Sequence, residues 1–158
     1  EEYVKAYAVN FGLKYTILRF FNVYGPGQSK DFVIPEFVNN ASKNNPILIH
    51  GSGSQIRSFC HISDISKGVS LSIEKGDNEI INIGNANEPI TISELAKKII
   101  GITNSKSSIQ FVPFIDSNRR RQKEIINRIP SIKKAERMLS YKPEISLNDG
   151  ISMLKGEI

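Results

Sequence analysis

Cysteine, histidine and tryptophan are close to missing from this chain: its 158 residues include one cysteine, two histidines and no tryptophan. A single cysteine, Cys60, excludes an intramolecular disulfide and fits a reducing compartment. So few thiols and imidazoles also argue against a structural zinc site. No apolar run approaches the ~20 residues that span a bilayer, and the opening EEYVKAYAVN lacks the features of a signal peptide. A cytoplasmic protein without a membrane partner is therefore expected. Acidic side chains are short as well, 16 against 21 Lys and Arg, for a net charge of +5. That excess favours phosphate-bearing partners, nucleic acid among them, or is simply a basic surface. The remaining composition, 39% hydrophobic and 23% charged, is that of an ordinary globular protein, with length for one domain or a domain plus part of another.

The chain is organised around Lys14 to Gln28, KYTILRFFNVYGPGQ. Tyr15 to Phe21 is apolar, aromatic or β-branched apart from Arg19, and breaks at Asn22 and again at Gly25-Pro26-Gly27. Such a run reads as a buried, parallel-type strand with a ligand-facing carboxyl end, the end at which open α/β sheets bind ligands. A core strand followed by an ordinary turn is the competing reading.

Upstream, Tyr3, Val4, Tyr7, Ala8 and Phe11 fall at helical spacing and Gly12 stops the helix. A chain that opens this way suggests the last turns of a longer helix and a missing amino-terminal part. Downstream, Val33 to Ala41 forms an amphipathic helix with Pro35 in its first turn. Ile47 to His50 and Arg57 to Ile62 read as strands around the Gly51 to Ser54 turn, and are expected to pair as a hairpin, with Phe59 and His61 on one face and Ser58 and Cys60 on the other. Ser63 or Asp64 should cap a helix ending at Gly76, Ile80 to Ile83 is a third short strand, and Thr91 and Glu94 start a helix that Gly101 closes. Ile109 to Phe114 is strand-like, and an arginine-rich extended segment then runs to Pro130. Ser131 should cap a helix through Leu139, and a last helix runs from Leu147 through Leu154. Short strands alternating with helices of about ten residues argue for an α/β fold.

The polar candidates converge on anions. Asn22 ends the strand with a carboxamide that can donate to a phosphate oxygen and accept from a sugar hydroxyl, or is a turn-forming asparagine. Arg57 and the run Arg119, Arg120 and Arg121 carry guanidinium forks suited to a diphosphate, or are solvated surface charge. His50 and His61 would need a third ligand to hold a metal. Gly51-Ser-Gly53 lacks the third glycine and the following helix of a dinucleotide turn. No Gly-x-Ser-x-Gly elbow occurs, and no tyrosine has a lysine four residues on.

Six segments in order then form a pattern: Leu18-Arg-Phe-Phe-Asn-Val-Tyr-Gly-Pro26; Gly51-x-Gly53-x-Gln55-x-Arg57-x-Phe59; Asn82-Ile-Gly84; Thr91-Ile-x-Glu94-Leu95; Arg121-x-x-Glu124; and Lys133-Lys-Ala135 with Leu139-x-Tyr-x-Pro143 and Ser146-Leu-x-x-Gly150-Ile. Together they resemble the extended short-chain dehydrogenase/reductase family of NAD-dependent nucleotide-sugar epimerases and dehydratases, most of all its UDP-glucose 4-epimerases. The resemblance implies the carboxyl-terminal, substrate-binding part of such an enzyme. Residues 1–24 would be the last helix and strand of a truncated Rossmann domain, and residues 25–158 the nucleotide-sugar domain. The glycine-rich NAD turn and the catalytic Tyr-x-x-x-Lys pair would lie upstream, so the chain alone is expected to be inactive and to hold no catalytic residue.

By the same resemblance, Phe21 would lie against NAD and Asn22 near the substrate diphosphate. Leu48, Ile49 and His50 would line the base pocket, partly through backbone groups reading a uracil edge. Arg57 and Arg121 would clamp the diphosphate, with Arg128 facing the nucleotide and Glu124 orienting Arg121. The whole enzyme would be a homodimer that inverts the sugar 4-hydroxyl through a transient 4-keto sugar. Three departures stand out: Ser58 and Ser131 replace aspartates frequent in the family, and Phe32 replaces an asparagine near the sugar, which leaves the sugar open. A 4,6-dehydratase or UDP-glucuronate decarboxylase of the same family and a non-catalytic nucleotide-sugar-binding module are the alternatives. Nucleic-acid binding through Arg119 to Lys123 is disfavoured, because no aromatic stacking platform accompanies the basic run.

Overall fold

Gly12 ends the first helix, α1 (Glu2–Phe11), by adopting a left-handed conformation (φ 62°) from which its N–H closes on the Ala8 carbonyl. The computed structural model describes residues 1–113 and 125–155. The organising stretch then forms β1 (Thr16–Phe20), which pairs in parallel with β6 (Glu79–Ile83). Its expected full burial is not observed: Arg19 and Phe20 are exposed. The reason is that β6 covers one edge of β1, while no strand among the described residues pairs with the other.

The expected hairpin is replaced by longer-range pairing. Strand β3 (Ile47–His50) runs parallel to β8 (Ile109–Val112). Arg57 to Ile62 is two strands rather than one. The first, β4 (Ile56–Arg57), lies between β7 (Ile90–Thr91), antiparallel, and β9 (Asn127–Arg128), parallel. The second, β5 (Cys60–His61), runs parallel to β2 (Val23–Tyr24). The predicted alternation fails because residues 58–61 are all buried, with Phe59 and Cys60 feeding different cores.

One core gathers α2 (Val33–Ser42), α4 (Ile92–Thr103), α6 (Leu147–Lys155) and β3 around Phe37, Val38, Ile49, Leu95 and Ile151. The other packs α3 (Ile62–Lys75) and α5 (Lys133–Leu139) on β6 through Ile65, Ile81, Ile83, Leu139 and Tyr141. Helix starts were partly legible. Thr91 and Glu94 form a reciprocal capping box, and the Thr91 bonds hold the Glu94 carboxyl below the usual carboxylate range. Helix α3 is capped by His61, whose Nδ1 accepts from Ser63 N–H at 3.3 Å. The buried Asp64 carboxylate instead accepts from the N–H groups of Glu144 and Ile145, each at 3.0 Å, fixing the approach to α6. Ser131 caps nothing; Ile132 occupies that position on α5 and the Ser131 carbonyl accepts from Asn82. Gly101 lies inside α4, which ends at left-handed Asn104 (φ 52°). Among the described residues no helix is long and apolar enough to cross a membrane.

Tyr24 and Gly150 set how closely α6 approaches β2. A Cβ on Gly150 would stand 2.1 Å from the Tyr24 hydroxyl and 2.8 Å from Cζ, and the ring, 2% exposed, has no room to retreat. Gly150→Ala is therefore expected to destabilise the chain by about 1–3 kcal/mol through overpacking, measured by urea unfolding. Tyr24→Phe, which removes a buried hydroxyl without a hydrogen-bond partner, should cost little or stabilise.

Candidate functional site

The carboxyl end of β1 is where the chain changes sheets. Phe21 N–H donates to the Ile83 carbonyl at 3.1 Å, extending the β1–β6 pairing by one bond. Asn22 then turns the backbone with φ 41°, a left-handed conformation that asparagine tolerates better than most residues. Its carboxamide nitrogen donates to the Ser58 carbonyl at 2.8 Å, and its own carbonyl accepts from Cys60 N–H at 3.1 Å. Asn22 is thus the turn residue of the plain reading, and the turn binds it to the segment that follows Arg57.

Strand register brings two predicted arginines together. In the parallel β4–β9 pair Arg57 stands opposite Arg128, so both side chains leave the same face of the sheet. Arg57 Nη1 donates to the carbonyls of Ile56 and Ile126, at 2.8 and 3.1 Å, which orients one side of the guanidinium against β9. Arg57 is half-buried and Arg128 exposed. Arg119, Arg120, Arg121 and Glu124 lie outside the described residues.

The β3 trio divides by strand geometry. Ile47 N–H and Gly51 N–H bond to Ser108 and Val112 carbonyls, at 2.8 and 2.9 Å. Alternate residues 47, 49 and 51 therefore face β8, and Leu48 and His50 direct their backbone N–H and C=O toward the other edge. The Ile49 side chain is 1% exposed in the core and forms no pocket wall. Leu48 is exposed and His50 half-buried, with His50 Nδ1 buried and without a hydrogen-bond partner. His50 and His61 belong to separate sheets.

Sequence reasoning missed the polar interior behind this junction. The Tyr24 ring packs edge-on to Phe59 and His61, at 6.4 and 5.4 Å between centroids. Burial pushes its phenol well above the ordinary range. Cys60 Sγ lies 3.6 Å from the Tyr141 hydroxyl, which donates to the Gly84 carbonyl at 3.1 Å. No local pattern announces these contacts, because the partners are up to 81 positions apart.

The chain as a whole matches a known family. The NAD dependent epimerase/dehydratase family matches residues 1–84. The chain belongs to that family. Similar curated members are UDP-N-acetyl-alpha-D-glucosaminuronate decarboxylase of Bacillus cytotoxicus, 38% identical over 89% of this chain and 44% of its own length, and UDP-glucuronate 4-epimerase of Thermodesulfobacterium geofontis, 30% identical over 89% and 42%. The chain thus spans less than half the length of these relatives. Among solved members, UDP-glucose 4-epimerase of Thermotoga maritima with UDP-glucose superposes with a TM-score of 0.89 at 30% identity, over 98% of this chain and 49% of that one. UDP-glucuronic acid 4-epimerase of Bacillus cereus, in complex with a UDP-sugar analogue and NAD, gives 0.86 at 28% identity, over 98% and 48%. The mixed α/β fold of this family member is that of extended short-chain dehydrogenase/reductases.

Burial raises the Cys60 thiol to about 11, outweighing the lowering effect of its Tyr141 hydrogen bond. A buried protonated thiol reacts poorly, so iodoacetamide at pH 8 should label Cys60 only after denaturation, read by mass spectrometry. The sign of the pH dependence follows. The folded state holds the proton more tightly than the unfolded state, whose thiol titrates near ~8.5. This contribution to stability is complete below that pH and declines as pH rises toward about 11, as alkaline urea titrations should show.

Proposed function

We propose that this chain is the UDP-sugar-binding part of an NAD-dependent 4-epimerase, with residues 1–24 belonging to the cofactor-binding unit and residues 25–158 to the substrate unit. The observation that carries the reading is the Arg57–Arg128 pairing on one face of adjacent strands. Two guanidinium groups at one register position suit a diphosphate, which accepts paired hydrogen bonds from such planar forks. Arg121 joins them in this reading. The Leu48 and His50 backbone edge offers donors and acceptors in the alternation that a uracil imide edge requires. Asn22, already held by Ser58, would present its remaining carboxamide oxygen beside the diphosphate or sugar.

Phe21, half-buried at the carboxyl end of a parallel strand pair, provides the kind of apolar surface on which a nicotinamide rests. Bound NAD supplies hydride acceptance and return, the chemistry that no side chain can perform. This chain's residues contribute binding and orientation. Remote binding energy from Arg57 and Arg128 would anchor the nucleotide while the sugar remains free to present either face. The proton at the sugar 4-hydroxyl would be moved by a tyrosine that these residues do not include.

Uronic-acid decarboxylation is a second reading, favoured by the 38% identity to the Bacillus cytotoxicus decarboxylase. The two reactions share their first step: oxidation of the 4-hydroxyl gives a 4-ketone, which is β to a carboxyl on a uronic acid and labilises it. Product analysis with UDP-glucose and UDP-glucuronate on the whole enzyme separates them.

Calorimetry with UDP tests the site. Arg57→Ala should weaken binding by roughly 10- to 100-fold, the loss of about 1.5–3 kcal/mol of charged hydrogen bonding, and Arg128→Ala by less, since it is exposed. An unchanged affinity for Arg57→Ala removes that residue from the site. The 158-residue chain with NAD and UDP-glucose should form no UDP-galactose; clear turnover would overturn the assignment of the proton-moving residue to another segment.

A further inference from the structure

We infer that Gln28 is a positioning residue for the sugar: its carboxamide holds the peptide that follows Asn22, and with it the left-handed turn from which Asn22 meets the substrate. The inference rests on reading Asn22 as a substrate contact and adds a residue which that reading does not contain. Strand β2 pairs with β5 and, among the described residues, with no other strand. Successive carbonyls of an extended segment point to opposite edges. The Asn22 carbonyl faces β5 and accepts from Cys60 N–H at 3.1 Å. The next carbonyl, that of Val23, accepts from Gln28 Nε2 at 2.8 Å. A side chain thus supplies the bond that a neighbouring strand would otherwise make.

Local contacts bring Gln28 to that carbonyl. Its N–H closes a turn on the Gly25 carbonyl at 3.3 Å. Gly25 itself lies so close to the start of α3 that a Cβ there would stand 2.4 Å from Ile62 Cγ2. What the side-chain bond holds is a costly conformation. At φ 41° Asn22 is outside the region that residues other than glycine ordinarily occupy, and such a backbone persists only where its surroundings over-determine it. Ser58 and Cys60 act on Asn22 from the β5 side; Gln28 acts on the next peptide from the other edge. Held from both sides, the turn gives the remaining carboxamide oxygen of Asn22 a fixed direction. A shift of about 1 Å in such a group is enough to weaken its contact with a ligand.

The other end of the carboxamide separates this role from folding. Gln28 Oε1 is closed off from solvent and has no donor among the described residues, an unfavourable state for a polar atom. Met has nearly the length of Gln and neither polar atom. Gln28→Met therefore removes the orphaned acceptor together with the bond to Val23, and the two effects on stability oppose each other. Gln28→Glu keeps the shape, and its carboxyl can donate to the Val23 carbonyl only when protonated.

Calorimetry with UDP-glucose and with UDP on the 158-residue chain, joined to amide exchange, tests the assignment. The unsubstituted chain should bind UDP-glucose more tightly than UDP. Gln28→Met should weaken UDP-glucose binding by roughly three- to tenfold, the worth of one hydrogen bond, and UDP binding by less than about twofold. In the same variant the Cys60 amide, bonded to Asn22, should exchange several-fold faster while α2, α4 and α6 keep their rates. Gln28→Glu should show the same loss near neutral pH. Compared with the unsubstituted chain at each pH, its affinity for UDP-glucose should recover as pH falls toward about 4, where a glutamate protonates. UDP-glucose bound no more tightly than UDP, unchanged UDP-glucose affinity in Gln28→Met, or an equal loss for both ligands would each overturn the inference and leave the nucleotide site standing. If Gln28→Met does not fold, Gln28→Glu decides: a loss that ignores pH, or no loss, overturns it. Absence of UDP binding by the unsubstituted chain would remove the nucleotide site and this inference with it.

Discussion

The two-residue ladder between β2 and β5, with the Asn22 bonds that seed it, is the constraint on which the rest depends. It lies between the two hydrophobic cores and is the place where the chain passes from one to the other. Tyr24 and Phe59 enter the core of α2, α4 and α6, while Cys60 and the partly buried Val23 enter that of α3 and α5. The Asn22 bond to Ser58 and the Cys60 bond to the Asn22 carbonyl together tie the end of β1 to the entry of β5. A left-handed asparagine at the end of a parallel strand is thus a structural joint first, and the proposed contact with substrate is an addition to that role.

The proposed substrate contacts fall on the same joint, where strand ends let backbone and side-chain groups converge without disturbing the cores. Arg57 is held by main-chain carbonyls of its own strand and of the residue preceding β9. That arrangement limits the rotamers of a long side chain before any ligand arrives, which reduces the entropy lost on binding.

The sequence alone determined much of this. The α/β class, α1 with its Gly12 stop, β1, α2, β3, the helix start at Thr91 and Glu94, and α6 were legible because each follows from local periodicity or a local end signal. Family membership was legible from ordered short motifs. Arg57 and Asn22 could be named from residue type and position in those motifs, and Arg128 only from its place in the resemblance; the folded chain sets Arg57 opposite Arg128 and bonds Asn22 to Ser58.

Only the tertiary structure decided the pairing. Gly51 to Ser54 looks like a hairpin turn, yet β3 found β8 some sixty residues later and β4 found β7 and β9, because partner choice depends on which buried faces meet rather than on the loop between neighbours. His61 displaced Ser63 and Asp64 as the cap of α3 once Asp64 was drawn to the Glu144 and Ile145 amides. Ile49 went to the core and its neighbours to the edge by the two-residue period, a choice of face that residue type cannot make. The opposition of Arg57 and Arg128 likewise exists only in the register of two short strands separated by 71 positions, and no local signal in the chain encodes it.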